Sequence, residues 1–242
     1  MISILPVEGL PEIQEGDDLG AMIAAAARLQ DGDVVVVAQK AVSKAEGRIV
    51  RLDEVEPSQR ARELAGPETN LPQLEVILAE TARVVRSRGG LVIAETSHGF
   101  VCASAGVDHS NTAEPGTVIL LPVDPDASAA AIRATLLVQT GTNVAVIVTD
   151  SFGRPFRKGT TDVAIGVAGL APLRDLRGTT DRAGLTLRST QVAVADEIAA
   201  AADLVRTSKA DGLPAVIVRG LSLEGDGTAV ELVIPAERDL FR

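Results

Sequence analysis

The sequence is poor in the side chains on which several binding functions depend. Its 242 residues include no Trp or Tyr, four Phe, two His and one Cys. The shortage of aromatic rings argues against base stacking on aromatic platforms. The single cysteine, Cys102, excludes an internal disulfide framework and a cysteine-based metal cage within one chain, and we expect it to be a small buried core residue. With only His98 and His109, a histidine-rich zinc site is not expected either.

Positive charge and long apolar runs are also scarce. The formal net charge of −10 argues against a nucleic-acid partner and an anionic membrane surface, because both favour a positive binding face. No apolar run approaches the length of a membrane span, and the opening MISILPVEGL lacks the basic and apolar segments of a leader peptide. We therefore expect a cytoplasmic protein with no membrane or nucleic-acid partner. Anionic ligands would need local basic clusters or metal ions.

Apolar residues, by contrast, are plentiful. They make up 46% of the chain, and in the absence of aromatics the core must consist of Val, Ala, Leu and Ile. The chain is long enough for one large domain or two small ones, and it contains no internal repeat or clear linker. The mixture of strand and helix patterns predicts an α+β fold with mixed β-sheets and packed helices. We predict one domain over 1–242, with two closely packed subdomains as the alternative.

Periodicity predicts the individual elements. Strands are expected at 2–7, 33–38, 91–96, 117–121, 144–148, 191–194 and 215–218. Helices are expected at 19–29, capped by Asp17 or Asp18; from Asp126 or Ser128 to about 139, closing at Gly141; and at 197–204. The charged stretch 53–88, with apolar residues at helical spacing up to Val85, predicts helices that end at Gly89-Gly90. The terminal ELVIPAERDLFR is predicted to be a strand or extended arm.

The stretch 143–170 carries the clearest chemical pattern. Val144 to Val148 is a β-branched run that indicates a strand buried on both faces, and after Thr149 come Asp150 and Ser151. A carboxylate and a hydroxyl at one strand end, followed by a cationic loop, suit a hard divalent cation that carries phosphates. An N-capping Asp with a solvated basic loop is the alternative, and composition alone leaves both open.

Polar residues also follow the predicted strand 33–38. Gln39, Lys40, Ser43 and Lys44 come just past its end, a combination suited to holding an anion, although lysines after a strand are usually solvated. Neither the P-loop spacing nor the G-x-G-x-x-G fingerprint is present. A third polar loop, AGVDHSN, brings Asp108, Ser110 and Asn111 together in sequence.

Several long motifs occur in an order that resembles one known family. They are VVVVAQKAVSKAEGR, AGVDHSN, LPVDPDAS, DSFGRPFRKGTTDVAIGVAGL and AVADEIAAAADLV. From Leu5 to about Leu221 the chain resembles the coenzyme F420-0:L-glutamate ligase family, also called the F420 gamma-glutamyl ligases. The resemblance implies a gamma-glutamyl-ligase-like α+β fold, an intertwined homodimer, GTP as cosubstrate, and Mg²⁺ or Mn²⁺ as cofactor, with K⁺ as a further candidate ion.

The resemblance also implies roles for particular residues. Asp108 and Asp150 would bind one divalent cation, and Ser151 a second, at a position where the family usually has Thr. Gln39, Lys44 and Asn111 would contact GTP, and the loop Leu10, Pro11, Glu12 and Ile13 would line the nucleotide pocket. Two positions depart from the family pattern, since Thr160 replaces a common Gln and Phe156 a common Trp. The segment 206–209 reads RTSK where the family has a glycine-containing loop, so no site residue is assigned there.

The reaction implied by the family is amide formation driven by phosphoryl transfer. The terminal phosphate of GTP passes to the carboxylate at the lactyl end of F420-0, and the amine of glutamate then displaces phosphate; repeats add gamma-linked glutamates. No general base is assigned, because positioning and electrostatics are the protein's main contribution to such a transfer. From their charge, Arg154, Arg157 and Lys158 are candidates for holding the acidic tail of F420-0 or the incoming glutamate, with solvated surface as the alternative.

Two other functions stay open at this point. One is a related amide ligase acting on another acidic acceptor, and the other is a nucleotide-binding assembly protein without turnover. The presence of Asp108, Asp150 and Lys44 argues against the second, since a lapsed catalyst has no need of two metal-binding carboxylates. Family members in actinobacteria can carry a C-terminal flavin-binding domain, so both a freestanding enzyme and an N-terminal domain are compatible with the sequence.

Overall fold

The computed structural model describes residues 1–110, 112, 114–206, 212–223 and 225–240. The helices are α1 (Leu19–Ala26), α2 (Gln39–Ala45), α3 (Gln59–Leu64), α4 (Leu71–Ala79), α5 (Pro125–Thr140) and α6 (Val194–Asp203). The strands are β1 (Ser3–Pro6), β2 (Val34–Ala38), β3 (Ile49–Arg51), β4 (Thr81–Arg88), β5 (Leu91–Thr96), β6 (Val101–Ala103), β7 (Thr117–Ile119), β8 (Ala145–Gly153), β9 (Thr160–Ala168), β10 (Leu173–Asp175), β11 (Gln191–Ala193) and β12 (Ala215–Arg219). The predicted α+β class is confirmed.

A five-stranded sheet with the order β1-β12-β2-β8-β9 forms the centre of the fold. Strands β2 and β8 are parallel, whereas the other neighbouring pairs are antiparallel. Ala38, the last residue of β2, pairs with Thr149, so β8 continues beyond the end of its parallel neighbour. Asp150 to Gly153 therefore pair only with β9, and one side of this part of β8 is open to other groups.

Two apolar layers cover the faces of this sheet. Because side chains alternate along a strand, one set of β2, β8 and β12 residues faces α1 and α5, and the other set faces α6. The first set includes Val35, Val37, Val146, Val148 and Ile217; the second includes Val34, Val36, Ile147, Val216 and Val218. The prediction that the runs 33–38 and 144–148 are buried on both faces is confirmed.

A smaller apolar cluster forms beside the central sheet. It joins α3, α4, the three-stranded sheet β4-β5-β6 and the β3–β7 ladder, and its members include Leu74, Ile77, Val92 and Val118. Asp108 is attached to this cluster through an isolated bridge, in which it exchanges two backbone hydrogen bonds of 2.8 and 3.0 Å with Ile119. The smaller cluster thus supplies Asp108, and the central sheet supplies Asp150.

The predicted helix over the last part of 53–88 is wrong. Helix α4 ends at Ala79, and β4 pairs antiparallel with β5 through a turn at Gly89 and Gly90, both of which have positive φ. Two register shifts, between Thr81 and Arg83 and between Val84 and Arg86, interrupt the two-residue alternation of β4. Because of these shifts, the apolar residues of β4 do not alternate as in a regular strand, and their spacing is compatible with a helix. Periodicity alone therefore predicted the wrong element here.

Other helix boundaries differ in detail. Helix α1 is capped by Asp18, whose Oδ1 accepts from the Ala21 N–H at 3.0 Å, and it ends three residues before the predicted Leu29. Helix α5 is capped by Asp124, not by Asp126 or Ser128, because Pro125 occupies the first turn and Asp124 Oδ1 accepts from the Ala127 N–H. Its predicted end at Gly141 is confirmed by the left-handed conformation there.

Two segments form short helices that the sequence pattern did not predict. The polar residues after β2 belong to α2, so Gln39, Lys40 and Lys44 project from a helix and not from a loop. In the described part of the C-terminal segment, single 3₁₀ turns at Ala229–Leu232 and Ala236–Arg238 replace the predicted strand or arm. The side chains of Thr228 and Glu231 cap the first of these turns reciprocally, which favours the turn over an extended chain.

Asp126, which does not cap α5, instead ties the helix to the sheet edge. Its Oδ1 accepts from the Val167 N–H at 2.7 Å and from the Ala229 N–H at 2.9 Å. Beside this contact, a Cβ added at Gly166 would lie 2.1 Å from the Pro125 carbonyl oxygen, so only glycine allows β9 to approach the helix this closely. This packing fixes the edge strand that carries Asp162.

None of the helices in the described ranges combines the length and the apolarity that a bilayer span requires. The intertwined homodimer stays a prediction.

Candidate functional site

A cavity opens at the end of β2, where β8 continues alone with β9. Its volume is about 810 Å³. The lining residues come from the loop after β1, the end of β2 and α2, the segment before β7, the β8–β9 pair, the end of α6 and the segment after it, and the segment before β12: Leu10, Pro11, Glu12, Ile13, Ala38, Gln39, Lys40, Ala41, Lys44, Thr112, Thr149, Asp150, Ser151, Thr160, Asp162, Asp203, Arg206, Gly212, Leu213 and Pro214. The carboxyl ends of parallel strands are common ligand sites in sheet proteins.

Asp150 is an acid of this cavity whose pKa is strongly raised. Burial raises the pKa of its carboxyl to about 7, and the charges of Asp162 and Asp108 act in the same direction. The Ser151 N–H and the Lys40 ammonium oppose the rise in pKa. Near neutral pH these surroundings therefore disfavour the ionised carboxylate, and a bound cation would stabilise it.

Asp108 lies in a different environment, because a lysine pairs with it. Lys40 Nζ is 2.7 Å from Asp108 Oδ2 and also donates to Ser110 Oγ, while the Ser110 N–H donates to Asp108 Oδ1 at 2.7 Å. Burial works against ionisation, but the hydrogen bonds from Lys40 and Ser110 outweigh it, and the pKa of Asp108 lies below its usual value. Lys40 was noted in the sequence without a role, and the structure joins it to both metal-binding candidates.

Asp162 is an acidic residue of the cavity that sequence reasoning missed. It is 4% exposed and accepts hydrogen bonds from Ser151 Oγ at 2.6 Å, Thr149 Oγ1 at 3.0 Å and Arg206 Nη1 at 3.0 Å. In the β8–β9 pair, Ser151 is its direct cross-strand partner. The one available signal was the acidic Asp162 directly before the apolar part of β9, and its meaning depended on knowing the register.

Arg206 also lines the cavity, although no site residue was assigned to its segment. In addition to its contact with Asp162, Nη2 donates to the Val36 carbonyl at 3.1 Å and Nη1 to Thr149 Oγ1 at 3.2 Å. Burial lowers the pKa of the guanidinium, against the opposing charges of Asp162 and Asp203. The Nε atom is buried without a hydrogen-bond partner among the described residues.

Most of the predicted nucleotide-binding residues meet at this cavity. The loop Leu10 to Ile13 forms part of the wall, and Lys44 Nζ lies 2.5 Å from Glu12 Oε1. Gln39 is 2% exposed and donates through Nε2 to Ser43 Oγ and to the Leu120 carbonyl, at 2.7 and 2.8 Å. Its Oε1 has no partner within the described part of the chain. Asn111, the remaining predicted nucleotide contact, lies outside the described residues.

The three cations predicted to bind an acidic substrate are not brought into the cavity. Arg154, Arg157 and Lys158 occupy the exposed or partly exposed tip of the β8–β9 pair, where Arg154 Nη2 donates to the Lys158 carbonyl at 2.7 Å. None of them contributes to the lining, whereas Ser151 and Thr160, on the strands beside this tip, do. The cavity wall therefore ends at the strands and does not include the three cations.

The oxygen groups suit a cation that keeps part of its coordination for water or phosphate. Among the residues that the structure describes, no three His, Cys, Asp or Glu side chains are grouped as a metal cage. Mg²⁺ commonly uses only one or two carboxylates together with phosphate oxygens and water. Asp150 and Ser151 line the cavity. Asp108 pairs with Lys40, which also lines the cavity, and the charge of Asp108 acts on Asp150. This donor set fits such an ion.

Comparison with known proteins gives consistent matches along almost the whole chain. A family model described as F420-0:Gamma-glutamyl ligase matches residues 9–220. A protein of Methanothermobacter thermautotrophicus named Coenzyme F420:L-glutamate ligase is 46% identical, covering 100% of this chain and 99% of its own length. Proteins of the same name from Archaeoglobus fulgidus and Methanopyrus kandleri are 43% and 45% identical, each covering 100% of this chain and 96% and 98% of their own lengths.

Proposed function

Because this chain belongs to the F420-0:gamma-glutamyl ligase family and is a ligase, we propose that it adds L-glutamate to coenzyme F420-0 through gamma linkages, using GTP. The observation that carries the proposal is the cavity at the end of β2, where Asp150, Ser151, Lys44 and Gln39 converge. It combines oxygen ligands for a cation with cations for phosphate, which is the charge pattern that phosphoryl transfer from a nucleotide requires.

The proposed reaction has two steps. A carboxylate oxygen of F420-0 attacks the terminal phosphorus of GTP, the bond to the bridging oxygen breaks, and GDP leaves. The product is an acyl phosphate. The glutamate amine then attacks the acyl carbon, phosphate leaves with the bonding electron pair, and the amine loses a proton as the amide forms. The protein holds the anionic reactants in line for both steps.

Charge compensation is the first task of the side chains. A carboxylate and a triphosphate repel each other, so the cavity needs positive groups at the phosphates. Lys44, which is largely buried and paired with Glu12, would exchange that partner for a phosphate oxygen. Gln39 Oε1 lacks a partner among the described residues and would accept a hydrogen bond from the nucleotide. A buried acceptor gains most from such a bond, because leaving it unpaired is costly.

The metal-binding part of the proposal rests on Asp108, Asp150 and Ser151. When bound there, Mg²⁺ or Mn²⁺ would act as a Lewis acid that neutralises phosphate charge. The raised pKa of Asp150 supports this assignment, because burial and two neighbouring acids disfavour its charge until a cation compensates it. The hydrogen bonds from Lys40 and Ser110 lower the pKa of Asp108, so this carboxylate is ionised at neutral pH, as a metal ligand must be. K⁺ is a further candidate ion.

The acidic acceptor would enter along the β8–β9 hairpin. Arg154, Arg157 and Lys158 place three positive charges at its tip, beyond the cavity, and these would attract the anionic tail of F420-0 or the incoming glutamate. The intertwined homodimer expected from the family also belongs to the proposal. A partner subunit could bring the tip of one hairpin close to the cavity of another.

The test is an incubation of the purified protein with F420-0, L-glutamate, GTP and Mg²⁺ or Mn²⁺. Mass spectrometry measures added glutamyl units, and a parallel assay measures released phosphate. We expect product that depends on all four components, with one phosphate released for each glutamate added. Asp150→Asn is the matched control, since it preserves shape while removing one charge. GTP binding without a glutamylated product would contradict the proposed acceptor, and product without GTP would contradict the proposed energy source.

A further inference from the structure

The hydroxyl of Ser151 makes one short contact that determines where its proton points. Ser151 Oγ is 2.6 Å from Asp162 Oδ1, across the β8–β9 pair in direct register. An ionised carboxylate can only accept hydrogen bonds, so the serine must donate its single proton to Asp162. Because Ser151 also lines the cavity, its two lone pairs remain for whatever binds there.

Asp162 is itself held firmly in place. Thr149 Oγ1 and Arg206 Nη1 donate to its Oδ2, each at 3.0 Å, and Arg206 also donates to the Val36 carbonyl of β2. The Asp162 and Arg206 side chains are 5% and 11% exposed. A buried ion pair with hydrogen bonds to two neighbouring strands, β2 and β8, leaves the Asp162 carboxylate little freedom to turn.

We propose that Asp162 is a positioning residue. By accepting the hydrogen bond from Ser151, it turns the hydroxyl proton away from the cavity, so that the hydroxyl oxygen faces the cavity as a ligand. The inference rests on the proposed function for the identity of the occupant, a divalent cation bound with nucleotide. Neither Asp162 nor Arg206 touches the reacting atoms in this role. Asp162 acts through Ser151, and Arg206 acts by holding Asp162.

The substitution Asp162→Asn makes a specific structural prediction. The asparagine keeps one carbonyl oxygen, and the guanidinium of Arg206 would attract that oxygen to its own side. The amide NH₂ would then face Ser151 Oγ and donate to it, so the serine proton would turn toward the cavity. A hydroxyl that presents its proton repels a cation, so the variant would lose the contribution of Ser151 although Ser151 is still present.

The experiment compares wild type, Ser151→Ala, Asp162→Asn and the double variant. Mn²⁺ affinity is measured by calorimetry in the presence of GDP, and kcat and KM for GTP are measured in the ligase assay. We expect Asp162→Asn to weaken Mn²⁺ binding or to lower kcat by about 10- to 100-fold, the range typical of residues that orient a metal ligand. The double variant should be no worse than the more impaired of the two single variants, because both remove the same contribution.

A merely structural role would produce a different pattern. Asp162→Asn would then lower the melting temperature, and its effects on Mn²⁺ binding and on kcat would add to those of Ser151→Ala. Such additivity would overturn the inference. Asp33→Asn is the matched control, since it also removes the acid of a buried Asp–Arg pair but lies outside the cavity. It should lower stability without changing Mn²⁺ affinity.

If Asp162→Asn fails to fold, because Arg206 is left as an uncompensated buried charge, the pair Arg206→Gln and Asp162→Leu/Arg206→Gln replaces it. Arg206→Gln alone keeps the carboxylate beside Ser151, whereas the double variant has neither a buried charge nor an acceptor for the Ser151 proton at position 162. We expect a loss of Mn²⁺ affinity in the double variant relative to Arg206→Gln, and equal affinities would overturn the inference. Failure of the proposed function would be visible separately, as wild-type protein without a glutamylated product.

Discussion

The two ends of the parallel pair β2 and β8 each hold an ion pair between a buried Asp and an Arg, yet their surroundings differ. At the amino-terminal end, Asp33 is bound bidentately by Arg219, through Nε at 2.8 Å and Nη2 at 2.7 Å, and it also accepts from the Gln30 N–H. At the opposite end, Asp162 pairs with Arg206 through a single nitrogen and shares its oxygens with Ser151 and Thr149.

The two ends differ in whether the polar groups around the ion pair already have protein partners. Around Asp33 the contacts are to protein groups, including Arg219 Nη2 to the Arg28 carbonyl, and they tie the loop after α1 to β12. Around Asp162, Asp150 has a raised pKa, and Gln39 Oε1 and Arg206 Nε have no partner among the described residues. The ion pair at the amino-terminal end thus serves the packing of the protein. The ion pair at the opposite end lies among polar groups that can still bind a ligand.

The largest expected effect comes from removing the charge of Asp150 at the open end. Asp150→Asn should reduce glutamate addition by more than about 100-fold, since even residues that only orient metal ligands cost up to that amount. The ligase assay at saturating metal measures the loss, and circular dichroism checks that the fold is retained. Turnover within a factor of about two of wild type would contradict the assignment of the reaction to the end that holds Asp150.

Lys44 tests whether the open end binds phosphate. Lys44→Met keeps most of the apolar stem and removes the ammonium, so we expect the KM for GTP to rise by about 10- to 100-fold, the value of a hydrogen bond to a charged group. Glu12→Gln should have the opposite, smaller effect, because it removes the carboxylate that competes for Lys44. An unchanged KM in Lys44→Met would show that Lys44 serves only its ion pair with Glu12.

At the closed end, Asp33→Asn should affect stability alone. Arg219 is 26% exposed, so the loss of the pair should cost about 1–3 kcal/mol and not the full penalty of a deeply buried charge. For a chain of this size each kcal/mol lowers the melting temperature by about 2–4 °C. The measurements are thermal denaturation and the kcat of the folded variant. A large drop in kcat would contradict the assignment of this end to structure.

The pH dependence of stability should distinguish the ends further. Folding raises the pKa of Asp150 from 3.8 to about 7, so the protonated acid favours the folded state. This contribution is fully present below the unfolded pKa and is lost as pH rises through about 7. Metal-free wild type should therefore lose melting temperature relative to Asp150→Asn between pH 4 and 8. Equal changes in the two proteins across the window from 3.8 to about 7 would contradict the raised pKa.

The smallest effect is expected at the tip of the β8–β9 hairpin. The double substitution Arg154→Gln and Arg157→Gln removes two cations outside the cavity, so it should raise the KM for F420-0 a few-fold with little change in kcat. Stability should change by less than about 0.5 kcal/mol, as is usual for exposed positions. Steady-state kinetics with F420-0 as the varied substrate is the measurement. Unchanged kinetics would show that Arg154 and Arg157 are solvated surface residues that do not contribute to binding F420-0.

Much of the fold was predictable from local pattern, but not all of it. The runs 33–38 and 144–148 were predicted as strands buried on both faces, and β2 and β8 have that burial. The segment 81–88 was assigned to a helix, because its alternation is interrupted by two register shifts that only pairing with β5 explains. The cap of α5 was misplaced for a similar reason: Asp126 is engaged by backbone groups of Val167 and Ala229, which are distant in sequence.

Local pattern and the order of long motifs were sufficient to predict the family, the α+β class, and the carboxylate and hydroxyl of Asp150 and Ser151 beyond a buried run, although the structure places both residues inside β8. These properties depend on neighbouring residues and on long motifs in order, and a linear reading is sufficient for them. The hydrogen bond from Ser151 to Asp162 and the ion pair between Arg206 and Asp162 became visible only in the folded chain. Those contacts depend on hairpin register and on the packing of α6 beside the sheet, and neither leaves a local signature in the order of residues.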